Sequence, residues 1–154
     1  MKKIEFHAAY EVYENETELP AAAKALLAQA KAACQTAYAP YSNFKVGAAV
    51  RLANGKIVQG SNQENAAFPV TICGERNAIF AAAAQYPNVT VEAVAITAET
   101  LNKDLFKPVP PCGSCRQVLF EYEYRQKEEP TINFIARQKR IQRLRNTKNS
   151  SPTH

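Results

Sequence analysis

The chain has 154 residues and a formal net charge of +5, a length that fits one domain with a core of its own. Its four cysteines do not suggest a disulfide framework, and no apolar run approaches the roughly 18 residues of a membrane-spanning helix. The first residues, MKKIEFH, lack the apolar region of a secretory signal peptide. We therefore expect a cytoplasmic protein with reduced thiols and without a membrane partner.

Predicted strands and helices alternate along the chain. In chain order, the first half is predicted to contain an extra N-terminal strand within residues 2–13, a helix over 19–38, and a hairpin of strands 44–52 and 56–60. The second half is predicted to contain a helix that follows Cys73 and stops near Tyr86, a strand over 89–97, a helix that follows Cys112, and a strand over 131–135. Asn54-Gly55 is the tight-turn signal of the hairpin. The alternation predicts an α/β fold in which helices cover a central sheet.

Three cysteines and one glutamate form the most informative pattern. Cys112 and Cys115 have the C-x-x-C spacing that lets two thiolates bind one metal ion, and Cys73 is available as a third sulfur. Cys73 and Cys112 each precede a predicted helix, whose free N–H groups and dipole stabilise thiolates. Three protein ligands leave the fourth position of zinc open to water, beside which Glu75 would stand. The pattern therefore indicates a hydrolytic zinc enzyme.

Two other interpretations of the cysteines stay open at this point. Cys112 and Cys115 can form a redox pair with Cys73 as a buried thiol, or Cys34 can complete a closed structural zinc site. Cys34 lies in an alanine-rich predicted helix, where a small buried thiol is the common case. Glu75 taken alone is an ordinary acidic residue in the first turn of a helix.

Four segments resemble, in order, the signatures of the small zinc-dependent cytidine deaminases. They are residues 39–49 (APYSNFKVGAA), 60–68 (GSNQENAAF), 71–79 (TICGERNAI) and 110–118 (PPCGSCRQV), and the resemblance covers about residues 19–135. It implies a three-layer α/β/α sandwich with a central mixed sheet, which forms one domain over residues 1–136 with residues 1–18 as an N-terminal extension. The implied function is zinc-dependent hydrolytic deamination of cytidine and deoxycytidine in pyrimidine salvage, by a homotetramer that holds one Zn²⁺ per chain.

The resemblance also assigns roles at the metal site. Cys73, Cys112 and Cys115 would bind zinc. Glu75 would take the proton of the attacking water and deliver it to the pyrimidine N3 and then to the leaving amine. Arg76 would donate hydrogen bonds to the ligand sulfurs and offset the negative charge of three thiolates.

Six further positions would contact the nucleoside. Asn62 and Glu64 match the pair that binds the ribose hydroxyls, and Phe44 matches an aromatic that packs beside the base. Backbone groups near Ala66 and Gly74 would read the base edge. The sixth position is Phe68, which stands where a tyrosine is common in the family, while Gly74 stands where alanine is usual.

Residues 137–154 depart from the family pattern. Six of the 19 basic residues lie between Arg137 and Lys148, which leaves 13 basic against 14 acidic residues in the rest of the chain. We predict this tail to be disordered, where family members usually continue with a strand and a terminal helix. Three explanations stay open: a nucleic-acid-binding arm, a charged surface segment without a role, or a shifted reading frame or truncated end. A missing strand would expose a sheet edge and weaken the tetramer.

Two alternatives to the cytidine deaminase hypothesis follow from these observations. One is deamination of a related aminopyrimidine nucleoside. The other is a noncatalytic zinc module that binds nucleic acid through the basic tail. We do not expect a nucleic-acid partner, because few aromatic residues interleave the basic run and because Glu64 would repel a 3′-phosphate.

Overall fold

The structure is a computed structural model that describes residues 9–100, 110–126, 133–136 and 141–145. Its helices are α1 (Ala21–Cys34), α2 (Gly74–Gln85) and α3 (Gly113–Arg125). Its strands are β1 (Ala9–Tyr13), β2 (Phe44–Leu52), β3 (Ile57–Ser61), β4 (Val91–Thr100), β5 (Asn133–Ala136) and β6 (Ile141–Arg145). Each helix and strand predicted from the sequence has a counterpart here, and β6 is an additional strand. Within the described part of the chain, no helix combines the length and the apolar composition that crossing a membrane requires.

Six strands form one mixed sheet in the order β1-β6-β5-β4-β2-β3. Strands β4 and β5 run parallel, and the other neighbouring strands run antiparallel. The hairpin of β2 and β3 turns at Asn54-Gly55, as predicted. Gly55 has a φ of 79°, a left-handed conformation that glycine adopts without a steric cost.

Helix α1 covers one face of the sheet, and helices α2 and α3 cover the other. Leu26 and Leu27 of α1 are buried in one core cluster with Ala49 of β2. Ile79 of α2 and Leu119 of α3 are buried in a second cluster, which contains the neighbouring β2 residues Ala48 and Val50. Successive residues of β2 are therefore buried on opposite faces, as in a strand that is covered on both sides. The three-layer α/β/α sandwich with a central mixed sheet is confirmed.

Two glycines determine how closely the helices approach this sheet. A Cβ on Gly47 of β2 would lie 2.1 Å from the carbonyl oxygen of Ala30 in α1. A Cβ on Gly60 of β3 would lie 2.3 Å from the backbone nitrogen of Ala78 in α2. Both distances are far below van der Waals contact, so no larger residue fits without moving a helix. The second contact places α2, with its N-terminal cysteine, directly against β3.

The predicted disorder of residues 137–154 is wrong for Ile141–Arg145, which forms β6. This strand pairs antiparallel with β1 on one side and with β5 on the other. Backbone hydrogen bonds to two neighbouring strands outweigh the basic composition, which by itself indicates disorder. As a result, β5 lies inside the sheet, and β1 forms the edge strand on this side. Residues 137–140 and 146–154, like residues 2–8 of the predicted N-terminal strand, lie outside the described residues.

Replacing Gly47 with alanine tests the close approach of α1 to the sheet. We expect the free energy of unfolding to fall by roughly 3 kcal/mol, because the added methyl group forces the α1 backbone away from β2. Urea unfolding followed by far-ultraviolet circular dichroism measures the change. Gly113→Ala is the matched control, since a Cβ at Gly113 meets nothing within 4 Å. A Gly47→Ala protein as stable as this control would contradict the packing.

Candidate active site

The three cysteines of the predicted metal site meet at the N-termini of α2 and α3. Cys73 is the N-cap residue of α2, Cys112 is the N-cap residue of α3, and Cys115 lies in the first turn of α3. The Sγ atom of Cys112 lies 3.9 Å from that of Cys73 and 3.4 Å from that of Cys115. All three sulfur atoms lie within 4.8 Å of one another. The two predicted helix starts therefore converge on one point.

This arrangement fits a zinc ion. Tetrahedral coordination with Zn–S bonds of about 2.3 Å places the ligand sulfurs about 3.8 Å apart, which is close to the separations observed. Thiolates are also ligands that suit zinc. Cys34 lies outside the three-sulfur group, and burial raises the pKa of its thiol to about 11. Among the described residues, Cys34 therefore does not complete a closed four-cysteine site.

The surroundings favour a thiolate at Cys73. A hydrogen bond from the Cys115 thiol, together with one from Arg76, lowers the pKa of Cys73 to about 5. The pKa of Cys115 is raised in turn, because its thiol keeps its proton in the hydrogen bond to Cys73 and because it is buried. The deprotonated sulfur is the form that binds a metal ion. The cluster therefore holds a metal-binding thiolate near neutral pH.

Arg76 lies beside the sulfur atoms, where the resemblance placed it. Its Nη2 atom donates to the carbonyl oxygen of Thr71 at 3.3 Å and to the Sγ atom of Cys73 at 3.7 Å. The Nε atom of Arg76 is buried and has no hydrogen-bond partner among the described residues. A guanidinium in this position offsets the negative charge of the thiolates.

Glu75 is buried in the first turn of α2, next to the cysteine cluster. Only 6% of the Glu75 surface is exposed to solvent. Burial raises the pKa of its carboxyl group, and the negative charge of Cys73 raises it further. A carboxyl group whose pKa is shifted towards neutrality both accepts and returns a proton, which general acid/base catalysis requires.

A cavity of about 190 Å³ opens at this cluster. Its lining residues come from β2, β4 and the segments that precede α2 and α3; they are Phe44, Val46, Asn62, Glu64, Thr71, Ile72, Cys73, Glu75, Ile96, Thr97, Ala98, Pro110 and Cys112. Three of the predicted nucleoside contacts, namely Phe44, Asn62 and Glu64, thus share one cavity with two of the cysteines and with Glu75.

The Asn62 side chain is held by the first residues of β2. Its Oδ1 atom accepts a hydrogen bond from the Val46 N–H at 2.7 Å, and its Nδ2 atom donates to the Phe44 carbonyl oxygen at 2.9 Å. The second N–H of the amide has no partner among the described residues, so it is available to a ligand. Asn62 is therefore fixed in place before anything binds in the cavity.

Three of the predicted contacts are not part of the lining of this cavity. Ala66 and Phe68 line a neighbouring pocket, which shares Glu64 and Thr71 with the first. The Phe68 residue is 82% exposed. Gly74 is buried but is absent from the cavity wall, and a Cβ there would lie 2.9 Å from the Val46 carbonyl oxygen. The substrate roles of these three residues stay predictions.

The sequence reasoning missed the wall that β4 contributes. Ile96, Thr97 and Ala98 of β4 line the cavity, as do Thr71 and Ile72 just before the first metal-site cysteine. Thr97 is 4% exposed. A threonine directly after the apolar run AVAI (residues 93–96) is a signal in the sequence that could have indicated a polar surface at this point.

Comparisons with known proteins agree with this site. Residues 20–127 match the sequence model described as the cytidine and deoxycytidylate deaminase zinc-binding region. A cytidine deaminase of Halalkalibacterium halodurans is 44% identical over 96 residues, which are 62% of this chain and 68% of that protein. A cytidine deaminase of Sporosarcina psychrophila is 43% identical over 97 residues, 63% of this chain and 67% of that protein.

Solved structures show the same fold. The crystal structure of cytidine deaminase from Burkholderia pseudomallei aligns with a TM-score of 0.62 and 40% identity, covering 78% of this chain and 88% of that chain. The cytidine deaminase structure from Mycobacterium leprae aligns with a TM-score of 0.60 and 30% identity, covering 77% of this chain and 90% of that chain. The sequence match spans both cysteine motifs and the buried glutamate. The chain therefore belongs to the cytidine and deoxycytidylate deaminase family and carries its zinc-binding region.

Proposed function

We propose that the protein hydrolyses cytidine and deoxycytidine to uridine and deoxyuridine, with release of ammonia, as a step of pyrimidine salvage. The observation that carries this proposal is the buried Glu75 carboxyl group beside three convergent thiols, in the wall of a cavity that Asn62 and Glu64 also line. Relatives that are 43–44% identical to this chain are named cytidine deaminases. Free cysteines suit the reducing cytoplasm, which is the proposed location.

Cys73, Cys112 and Cys115 hold one zinc ion per chain in this proposal. When bound, zinc lowers the pKa of a coordinated water towards about 7 and so supplies the nucleophile near neutral pH. Three thiolates weaken this effect, because they give the site a net negative charge. Arg76, which donates to the Cys73 sulfur, reduces that charge and restores part of the effect.

Glu75 acts as the general base and then as the general acid. Its carboxylate takes a proton from the attacking water and delivers it to N3 of the pyrimidine, which makes C4 more electrophilic. After attack at C4, the remaining proton of the water passes through the same carboxyl group to the amine, and the C–N bond breaks to release ammonia. The buried position of Glu75 supports this role, because it raises the pKa of the carboxyl group.

The part of the cavity that Asn62 and Glu64 line suits the sugar. The available N–H of Asn62 donates to a ribose hydroxyl, the Glu64 carboxylate accepts from the 3′-hydroxyl, and Phe44 packs beside the base. Cytidine and deoxycytidine both carry a 3′-hydroxyl, so both fit. A 3′-phosphate would meet the negative charge of Glu64, which disfavours polynucleotides. Backbone groups near Ala66 and Gly74 complete the contacts to the base edge.

A noncatalytic zinc module is the weaker proposal. A structural zinc site uses four protein ligands and has no need for a carboxyl group beside it. Glu75 is buried at a desolvation cost that a structural role does not explain. The carboxyl group therefore favours an enzyme.

We also propose that the chain forms a homotetramer. Large apolar side chains are exposed around the pocket that contains Ala66: the exposed fractions are 61% for Tyr41, 82% for Phe68 and 65% for Val70. Clustered exposed apolar surface favours contact with another protein. Because this pocket shares Glu64 with the active-site cavity, another copy seated there would narrow the cavity mouth.

Glu75→Gln tests the function. The purified wild-type chain should convert cytidine to uridine, which is followed by the loss of cytidine ultraviolet absorbance. The variant should retain its zinc and lose about 10²–10⁴-fold in kcat, because an amide transfers no proton. Glu92→Gln, at a surface carboxylate paired with Arg51, should keep full activity. Near-normal turnover by Glu75→Gln would exclude its role, and a wild type inactive on both nucleosides would exclude the function.

Cys112→Ser tests the metal site. Atomic absorption of the purified wild-type protein should give about one zinc per chain, and the variant should lose most of it, since serine binds zinc poorly. Cys34→Ala should keep the full zinc content, because that thiol lies outside the cluster. Two ions per chain, iron, no metal, or zinc loss in Cys34→Ala as well would contradict the assignment.

Phe68→Ser tests the assembly. We expect the wild-type protein to sediment as a tetramer and the variant to shift towards smaller species, because the substitution removes apolar surface from the proposed interface. Tyr124→Ser is the matched control, since Tyr124 is equally exposed at 80% but lies on α3. A monomeric wild type, or equal effects of the two substitutions, would show that this surface is not the interface.

A further inference from the structure

Two consecutive residues of the loop before β2 hold both oxygens of the Glu64 carboxylate. The Tyr41 and Ser42 N–H groups donate to Oε2 at 2.8 and 3.3 Å. The Ser42 hydroxyl donates to Oε1 at 2.5 Å. These three donors surround a carboxylate whose backbone lies more than twenty residues further along the chain.

The loop has a fixed shape that aims these donors at Glu64. Asn43 has a φ of 54°, in the left-handed region that asparagine tolerates better than most residues. Its N–H donates to the Ala39 carbonyl oxygen at 3.1 Å and closes a compact turn. The Ser42 hydroxyl also accepts from the Phe44 N–H at 3.0 Å. One hydroxyl group therefore connects the carboxylate to the first residue of β2.

We propose that Ser42 is a positioning residue, which orients the Glu64 carboxylate to receive a single hydroxyl group of the nucleoside sugar. This inference rests on the proposed function. An ionised carboxylate accepts about four hydrogen bonds, two at each oxygen. The loop occupies both positions on Oε2 and one on Oε1. One position on Oε1 is left, and it suits the 3′-hydroxyl.

Ser42 also favours the ionised form of Glu64, which this task requires. Its hydroxyl hydrogen bond lowers the pKa of the Glu64 carboxyl group, and the N–H groups of Tyr41 and Ser42 lower it further. A protonated carboxyl group would offer a donor where the sugar hydroxyl needs an acceptor. Without the Ser42 hydroxyl, Oε1 loses the one partner that it has among the described residues and is free to turn away from the cavity.

The inference predicts that Ser42→Ala weakens recognition of the 3′-hydroxyl without slowing the chemistry. KM for cytidine should rise on the order of tenfold, the effect of losing a charge-assisted hydrogen bond. The kcat value should stay within about twofold, because Glu75 and the cysteines are unchanged. KM for 3′-deoxycytidine should be the same in wild type and variant, because this substrate lacks the hydroxyl. Ser42→Thr, which keeps a hydroxyl, should restore most of the discrimination between the two substrates.

A binding measurement separates this inference from the proposed function. Equilibrium dialysis with radiolabelled uridine and 3′-deoxyuridine should show the same loss of discrimination in Ser42→Ala. Thr17→Ala, at another exposed hydroxyl in a hydrogen-bonded turn, should leave the dissociation constants of both uridine and 3′-deoxyuridine unchanged. If Ser42→Ala does not fold, Ser42→Cys serves instead, since a thiol has a similar shape but donates weakly. Unchanged discrimination in an active variant overturns the role of Ser42 alone. A wild type that neither deaminates cytidine nor binds uridine overturns both proposals.

Discussion

The sulfur cluster at the N-termini of α2 and α3 is the interaction on which the active site depends. Three sulfur atoms lie within 4.8 Å of one another, so the negative charge that develops when they become thiolates must be compensated. Two helix N-termini and Arg76 provide that compensation before any metal ion binds. The packing of the helices then places the cluster. Gly60 lets α2 approach β3, and Phe80 of α2 contacts Tyr122 of α3 with ring centroids 6.5 Å apart.

The part of the cavity that Asn62 and Glu64 line is built on a different principle, in which side chains extend the hydrogen bonding of the sheet. The Asn62 amide bonds to the Val46 N–H and the Phe44 carbonyl oxygen, as a neighbouring strand would. The Glu64 carboxylate likewise accepts hydrogen bonds from backbone N–H groups of the loop that leads into β2. These residues therefore have a structural role in addition to the substrate contacts proposed for them. Their positions are set by the fold, so a ligand does not have to order them, which lowers the entropic cost of binding.

Much of this site is predictable from the sequence because its signals are local. A cysteine followed by a helical pattern, and the dipeptide Asn54-Gly55 between two apolar runs, specify structure within a few residues. The pairing of β6 is not local, since its partners β1 and β5 include a strand at the other end of the described chain. A basic composition gives no indication of such pairing. The proposed role of Ser42 depends on the turn at Asn43 and on a partner distant in sequence, and neither is visible in a motif.

Glu64 and Glu75 share one cavity, and their environments shift their pKa values in opposite directions. Burial raises the pKa of Glu75, while the hydrogen bond from Ser42 lowers that of Glu64. A group that moves protons needs nearly equal stability with and without its proton, which desolvation provides for a carboxyl group. A group that holds a hydroxyl needs to remain an acceptor throughout turnover, which fixed donors ensure. The number of donors around each carboxylate therefore supports the proposal that Glu75 transfers protons while Glu64 holds the substrate.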